Sequence, residues 1–389
     1  MQFRPTGRGI GMLLLGFGLM AGAITVGSAD LLVLGAIPVL AVMVGILMLA
    51  FGGTGRRGSD VRRAVQPDPV HAGHSAQVTV EVTGPRAGQL QLREQAATEL
   101  SGGRPLRARV ARRPDAVRLT YTVTAAQRGR WSMGPLTVSR TDPFGVARLR
   151  GPLGEAEHLS VWPEVEDLPV PRTLLVAEPE RAVLGAHSPG SDDAALREYQ
   201  VGDDLRRVHW ASSARRGSLL VRTDEHAGIR TASVLLDPTP DGAELEWSIS
   251  MAASAALALH SAGHPTRLLT DGPHPGTGGR TALLDATVDL EGQPDRAAAD
   301  QALLAAIRTV EGTDSGVGLV VAVLGPQNAR LRAALAGLST ARPCWAIVRG
   351  TGPEATATTT DLLRAGWRTV QVESGADLTA TWLGLGSVA

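Results

Sequence analysis

One short stretch, residues 196–222, holds the densest group in this chain of side chains that could do chemistry. Asp203, Asp204 and His209 lie close together there, and two carboxylates beside an imidazole are groups that general acid–base catalysis uses. The stretch has no accompanying nucleophile motif or metal-ligand spacing, which a catalytic site would need. We therefore predict no catalytic residues and no enzyme activity, and we keep a hydrolase built on this cluster as a second alternative.

The same stretch is rich in arginine, and arginine pairs with carboxylates through two parallel hydrogen bonds. In one interpretation these charges pair with one another and hold an irregular segment against the rest of the protein. In the other, the segment is a docking surface for a protein partner. The signature residues that we predict for partner binding are Arg197, Glu198, Tyr199, Gly202, Asp203, Asp204, Arg206, Arg207, His209, Trp210, Ser213, Arg215 and Arg222.

A second candidate site follows the apolar run that ends at Leu236. The sequence there is Asp237-Pro238-Thr239-Pro240-Asp241. A carboxylate followed by hydroxyls at alternate positions suits a hard cation such as Mg²⁺, which prefers oxygen ligands. Here the last hydroxyl position is Asp241, and two prolines stiffen the loop. We therefore predict no metal and no cofactor, with Asp237 and Thr239 as the alternative metal ligands.

Two uncharged apolar runs, residues 10–28 and 31–51, precede both candidate sites. Helices of that length match a hydrocarbon core of ~30 Å. The alternative for the first run is a cleavable signal peptide, but a second run follows at once. Arginines flank both outer ends, at positions 4, 8, 56 and 57, and this bias favours the cytoplasm. We predict a multi-pass protein of the cell membrane with cytoplasmic soluble domains.

The hydropathy pattern divides the remaining chain. After a hairpin at residues 1–53 and a linker at 54–66, residues 67–165 alternate apolar and polar side chains, which predicts an antiparallel β-sandwich. Residues 166–228 form an irregular linker that carries the arginine-rich motif. Residues 229–389 alternate apolar strands with Ala/Leu-rich helices, which predicts an α/β domain with a mostly parallel sheet. We expect the Gly/Pro-rich residues 271–294 to form an exposed excursion.

Composition excludes several chemistries. The chain contains no lysine, so a Walker-A nucleotide site and Schiff-base catalysis lack their usual residue. Its formal net charge is zero, which gives no electrostatic case for nucleic acid binding. Cys344 is the single cysteine, and its apolar neighbours predict a buried structural thiol.

A series of short motifs resembles the domain of unknown function 58 family of membrane-anchored bacterial proteins. The motifs are Arg128-Gly129, Gly134-Pro135-Leu136, Asp142-Pro143-Phe144-Gly145, Val161-Trp162-Pro163, Leu196-Arg197-Glu198-Tyr199, Gly202-Asp203-Asp204-Leu205-Arg206, His209-Trp210, Ser213-Ala214-Arg215 and Leu220-Val221-Arg222. The resemblance implies a von Willebrand factor A-like C-terminal domain. It also implies a genetic neighbourhood with MoxR-type AAA+ ATPases and transglutaminase-like membrane proteins, which we take as the expected partners.

Together these patterns favour a membrane-tethered, non-enzymatic protein-interaction module. We expect it to act with a MoxR-type ATPase in assembling or regulating an envelope complex. The first alternative is a Mg²⁺-dependent ligand-binding module of the von Willebrand A type, and the second is the hydrolase described above.

Overall fold

The computed structural model describes residues 2–51, 59–85, 87–170, 196–198, 210–222, 231–239, 242–270, 278–312, 318–340 and 342–387. The chain divides into two compact units, Met1–Glu164 and Val165–Ala389. Each unit has its own core and its own sheets, and we describe them separately.

The first unit begins with two apolar helices, α1 (Gly7–Val26) and α2 (Ala29–Phe51). Thr6 caps α1 by accepting from the backbone N–H of Gly9, and Gly27 ends it in the left-handed conformation with φ 70°. Both helices are long and apolar enough to cross a membrane, so the prediction of two N-terminal apolar helices is confirmed. They pack closely at Gly16, where a Cβ would lie 2.6 Å from Val39 Cγ2.

The rest of the first unit is rich in β-sheet, as predicted. One sheet has the order β2-β4-β7-β6, a second β1-β10-β9-β5 and a third β3-β11-β8. The strands are β1 (Gln2–Pro5), β2 (Asp60–Gln66), β3 (Val70–His71), β4 (Ser75–Thr83), β5 (Gln91–Arg93), β6 (Arg109–Arg113), β7 (Ala116–Thr124), β8 (Gly129–Met133), β9 (Leu136–Thr141), β10 (Ala147–Leu153) and β11 (Glu157–Trp162). A one-turn helix, α3 (Thr98–Ser101), lies between β5 and β6.

The inward positions of these strands share one core, as the period-two pattern predicts. Val78, Val80 and Val82 of β4 are fully buried together with Val117 of β7 and Leu136 of β9. Two details differ from the expectation. The sequence pattern predicts a linker at residues 54–66. In the structure residues 60–66 form β2, which pairs along its whole length with β4. The N-terminal residues form β1, which pairs with β10.

The second unit is built around a parallel sheet of five strands in the order β15-β14-β16-β17-β18. The strands are β14 (Ala232–Leu236), β15 (Thr266–Leu269), β16 (Leu319–Leu324), β17 (Cys344–Arg349) and β18 (Arg368–Val372). Every residue of β14, β16 and β17 is buried, because helices cover the sheet. The α/β prediction with a parallel sheet is confirmed.

The covering helices are α5 (Gly242–Ser261), α6 (Arg280–Val288), α7 (Arg296–Gly312), α8 (Ala329–Leu338), α9 (Pro353–Arg364) and α10 (Leu378–Ser387). Helix α6 lies within the segment that we predicted to be an exposed excursion, and this prediction is wrong. Leu283, Leu284 and Val288 of α6 are buried, so this segment contributes to the core. The remaining described elements are a short helix, α4 (Trp210–Arg216), and a two-stranded ribbon of β12 (Leu196–Glu198) and β13 (Leu220–Arg222).

Candidate functional site

The carboxyl edge of the parallel sheet contains a reversal of strand order between β14 and β16. From β14 the chain runs to β15 on one side and then returns to β16 on the other. In open α/β sheets, the crevice outside such a switch point is where ligands bind. Asp237 directly follows β14 and Gly325 directly follows β16, so both residues lie at this point.

Asp237 is the centre of a buried polar network that we call the edge cluster, made of Asp237, Arg296 and Gln327. Oδ2 of Asp237 accepts from Nε2 of Gln327 at 2.6 Å and from the guanidinium of Arg296 at 3.2 Å. The backbone N–H of Gly325 donates to the same oxygen at 3.0 Å. Arg296 also donates to Oε1 of Gln327 at 2.7 Å, so the three side chains form a closed ring of hydrogen bonds.

This geometry bears on the alternative metal site. The side chain of Asp237 is 1% exposed and is ion-paired with a guanidinium. Thr239 is buried, and Asp241 lies outside the described residues. A divalent cation at Asp237 would have to displace the positive charge of Arg296, so the described residues do not fit a metal. Oδ1 of Asp237 is buried and has no hydrogen-bond partner within the described part of the chain.

A second ion pair lies at the neighbouring strand end. Arg349, the last residue of β17, is 2% exposed and pairs with Glu244 in the first turn of α5. The carboxylate of Glu244 also accepts a hydrogen bond from the hydroxyl of Ser374. The charges at this edge therefore tie helix starts to strand ends.

A half-open cavity of about 350 Å³ lies at the ends of β14 and β15. Pro238 and Thr270 form its wall on the sheet side, and Asp289 and Glu291 contribute carboxylates. The cavity is polar, and its acids would disfavour an anionic ligand.

The signature motif of residues 196–222 is closed at its two ends. Leu196 pairs with Arg222 and Glu198 pairs with Leu220 in an antiparallel ribbon. Inside this ribbon, α4 is fixed to β13 because Oγ of the buried Ser213 accepts from the backbone N–H of Leu220 at 2.8 Å. Gly217 makes the turn between them with φ 71°. The described ends of the motif thus form a β-ribbon that carries α4.

Trp210, the first residue of α4, is 64% exposed. Arg215 and Arg216 on the same helix are exposed as well, and Leu219 is 41% exposed. Arg215 lies on the surface because α4 ends at the next residue and its last turn faces solvent.

Other predicted signature residues fall outside the described residues. They are Tyr199, Gly202, Asp203, Asp204, Arg206, Arg207 and His209. The described backbone includes Arg197, Glu198 and Arg222 as ribbon residues. The signature motif and the edge cluster share no residues. The sequence analysis did not identify Arg296 and Gln327 as members of a site. The one available signal was that Gln327 follows an apolar strand, as Asp237 does.

Residues 195–331 match the model of a family described as protein of unknown function DUF58. Over these residues the chain is similar to the DUF58 family. This confirms the resemblance drawn from the short motifs. The DUF58 match includes the ribbon, α4 and all three residues of the edge cluster. A comparison with curated proteins found no match.

Proposed function

We propose that this protein is a membrane-anchored, non-enzymatic interaction module whose DUF58 region docks a protein partner. The partner that the motif resemblance names is a MoxR-type AAA+ ATPase, acting in the assembly or regulation of an envelope complex. A transglutaminase-like membrane protein is the second expected component. The proposal has two parts, an anchor and a docking surface, and a separate observation supports each.

The anchor is supported by apolar surface on α1 and α2. Leu14 is 70% exposed, Ile24 75% and Met43 63%. Exposed apolar area costs roughly 25 cal/mol per Å² in water, and contiguous patches of this kind mark a membrane or protein interface. Since both helices also have the length of a bilayer core, a lipid environment explains their surface. The arginines at both outer ends favour a cytoplasmic location for the soluble domains.

The observation that carries the docking surface is the exposure of Trp210. Tryptophan and arginine are the residues most enriched among binding hot spots. Here an exposed Trp210 lies on the same short helix as exposed Arg215 and Arg216, within the DUF58 match. The bond from Leu220 to Ser213 holds that helix against the ribbon. A fixed aromatic anchor loses little conformational entropy on binding.

The carboxyl edge of the sheet disfavours the Mg²⁺-dependent alternative and so supports the proposal of an interaction module that needs no metal. A von Willebrand A domain of the metal-binding kind uses the carboxylate after its first strand as a ligand. In this chain the equivalent Asp237 is paired with Arg296. We propose a von Willebrand A-like domain whose strand-end carboxylate holds the fold together and does not recruit a cation.

Site-specific cross-linking tests the docking surface. A photoreactive amino acid is placed at Trp210 and, as a matched control, at Leu363, which is 45% exposed on α9 outside the DUF58 match. After irradiation of native membranes, we expect the ATPase to be cross-linked from position 210 and not from position 363. Equal cross-linking from both positions, or none from position 210, would contradict the proposed surface.

A further inference from the structure

The turn between β9 and β10 packs directly against the two apolar helices. We call residues 142–146 the interfacial turn. Oγ1 of Thr6 donates to the carbonyl of Gly145 at 2.6 Å, and the backbone N–H of Thr6 donates to the carbonyl of Val146 at 3.0 Å. The turn itself is held by Asp142, whose carboxylate accepts from the backbone N–H groups of Phe144 and Ala147.

Glycines in the helices make this contact close. A Cβ at Gly45 of α2 would lie 2.8 Å from Cγ2 of Val146 and 2.9 Å from the carboxylate of Asp142. Val42 and Leu49 of α2 form a small buried cluster with Val146 and Ala147. The turn is therefore packed on the helix surface and does not project freely.

The contact sets the depth of the turn along α2. Gly45 precedes the end of α2 at Phe51 by six residues, which is about 9 Å at ~1.5 Å per residue. If the apolar run occupies the hydrocarbon core, the turn extends past the headgroup boundary to the level of the acyl chains. Phe144, at the tip of the turn, is 43% exposed.

The strands that continue from the turn carry arginine on one face. Arg4 of β1 is opposite Arg148 of β10, and Arg150 lies two residues further along the same face. The other residues of these two cross-strand rows are Gln2, Ser139, Thr141 and Gln91, none of which is acidic. We call Arg4, Arg148 and Arg150 the arginine face. The opposite face of β10 packs on the helices through Ala147 and Leu149.

We propose that the interfacial turn and the arginine face form a binding surface for anionic phospholipids of the membrane that the helices span. Phe144 inserts among the acyl chains at the headgroup boundary, and the three arginines bind headgroup phosphates, for which the planar guanidinium is suited. The proposal rests on the proposed membrane anchoring. The surface would add lipid contacts to the packing that already holds the β-rich domain against the helices.

Spin labelling tests the insertion of Phe144. The single native cysteine allows one label per molecule after Cys344→Ala, with labels at Phe144→Cys, Leu47→Cys of α2 and Val110→Cys of β6. Leu47 and Val110 are 56% and 49% exposed, so all three sites are accessible. The full chain is placed in nanodiscs that contain phosphatidylglycerol, and accessibility to oxygen is compared with accessibility to a water-soluble nickel complex.

We expect the labels at positions 47 and 144 to favour oxygen and the label at 110 to favour nickel. A nickel-accessible label at 144 with an oxygen-accessible label at 47 would overturn the lipid surface and leave the anchor intact. A nickel-accessible label at 47 would overturn both.

Native mass spectrometry of the full chain tests the arginine face through its preference for phosphatidylglycerol over phosphatidylcholine. Attraction of juxtamembrane arginines adds up per residue, so we expect Arg4→Gln/Arg148→Gln/Arg150→Gln to reduce the preference about tenfold or more. The control is the triple variant Arg107→Gln/Arg109→Gln/Arg113→Gln, whose sites are exposed in and next to β6. Equal effects of the two triple variants, or no effect of the first, would overturn the assignment.

Discussion

The carboxylate of Asp237 and the side-chain amide of Gln327 lie 2.6 Å apart, at the ends of two neighbouring parallel strands that are far apart in the sequence. Arg296 completes the ring by contacting both side chains. The carboxylate is buried, and this guanidinium forms an ion pair with it. The edge cluster therefore joins the start of α7 to the carboxyl edge of the sheet.

Removing Arg296 should destabilise the second unit. Arg296→Met leaves a buried carboxylate with amide donors alone, and breaking a buried pair costs ~3–5 kcal/mol. Arg296 is itself 39% exposed, so we expect its loss to lower the free energy of unfolding by about 2 kcal/mol. Thermal or denaturant unfolding of the full chain measures this change. Arg330→Met, at an exposed position of α8, is the control and should change stability by less than about 0.5 kcal/mol. Equal effects of the two substitutions on the free energy of unfolding would show that the ion pair of Arg296 with Asp237 does not contribute to stability.

The same pairing predicts weak metal binding. A Mg²⁺ or Mn²⁺ ion at Asp237 must compete with a covalently tethered cation, so calorimetric titration of the full chain should show no micromolar site. Arg296→Met removes the competitor and is the informative variant to titrate beside the wild type. Micromolar binding by the wild-type chain, lost in Asp237→Ala, would instead support the Mg²⁺-dependent alternative.

Glu94 should make the stability of the β-rich domain depend on pH. Burial raises the pKa of Glu94 above its ordinary value of 4.5, although the charge of Arg63, 3.4 Å away, acts in the opposite direction. The folded state then binds a proton more tightly than the unfolded state. The stabilisation from this group is complete below pH 4.5 and is lost as the pH rises through the raised folded pKa.

Unfolding midpoints from pH 4 upward, for the wild type and Glu94→Gln, measure this effect. We expect the advantage of the wild type over Glu94→Gln to shrink as the pH rises, because the variant cannot ionise. Glu81→Gln is the control, since Glu81 forms a partly exposed pair with Arg118. A wild-type advantage that grows with pH would contradict the sign of the shift.

The proposed topology predicts where both ends of the chain lie. The two helices are joined by a short turn, so residues that follow α2 are on the same side as the N-terminus. Reporter fusions at Ser59 and at the C-terminus should both indicate the cytoplasm. An active alkaline phosphatase at either position would contradict the orientation that the flanking arginines predict, and with it the access of a cytoplasmic ATPase.

The local hydropathy pattern predicted the strands of this fold well where burial of one or both faces sets the spacing of apolar residues. The strands that contain Val78 and Val321 follow directly from alternating and continuous apolar runs. The short N-terminal strand was missed because its four exposed residues carry no pattern. It forms only because β10 offers a free edge, which is a tertiary effect. Helix α6 was missed because Gly and Pro flank its short apolar face.

The edge cluster shows a different limit of sequence reasoning. Asp237 was identified from its position after a strand, but nothing near it in sequence indicates Arg296 as its partner. The pairing depends on the order of the strands, which places α7 beside the switch point. Solvent exposure could not be predicted from the sequence either. Trp210 and Phe144 are aromatic residues within short motifs, and only the structure shows that both side chains are exposed.

The proposed docking of a protein partner through Trp210 is tested by a binding titration. The full chain in nanodiscs is titrated with a purified MoxR-type ATPase from the same organism, comparing the wild type, Trp210→Ala and the control Leu363→Ala. Loss of a hot spot costs ~2 kcal/mol or more, so we expect the Kd of Trp210→Ala to rise about 30-fold. The Kd of Leu363→Ala should match the wild type. Unchanged affinity of Trp210→Ala, or no binding by the wild type, would contradict the account.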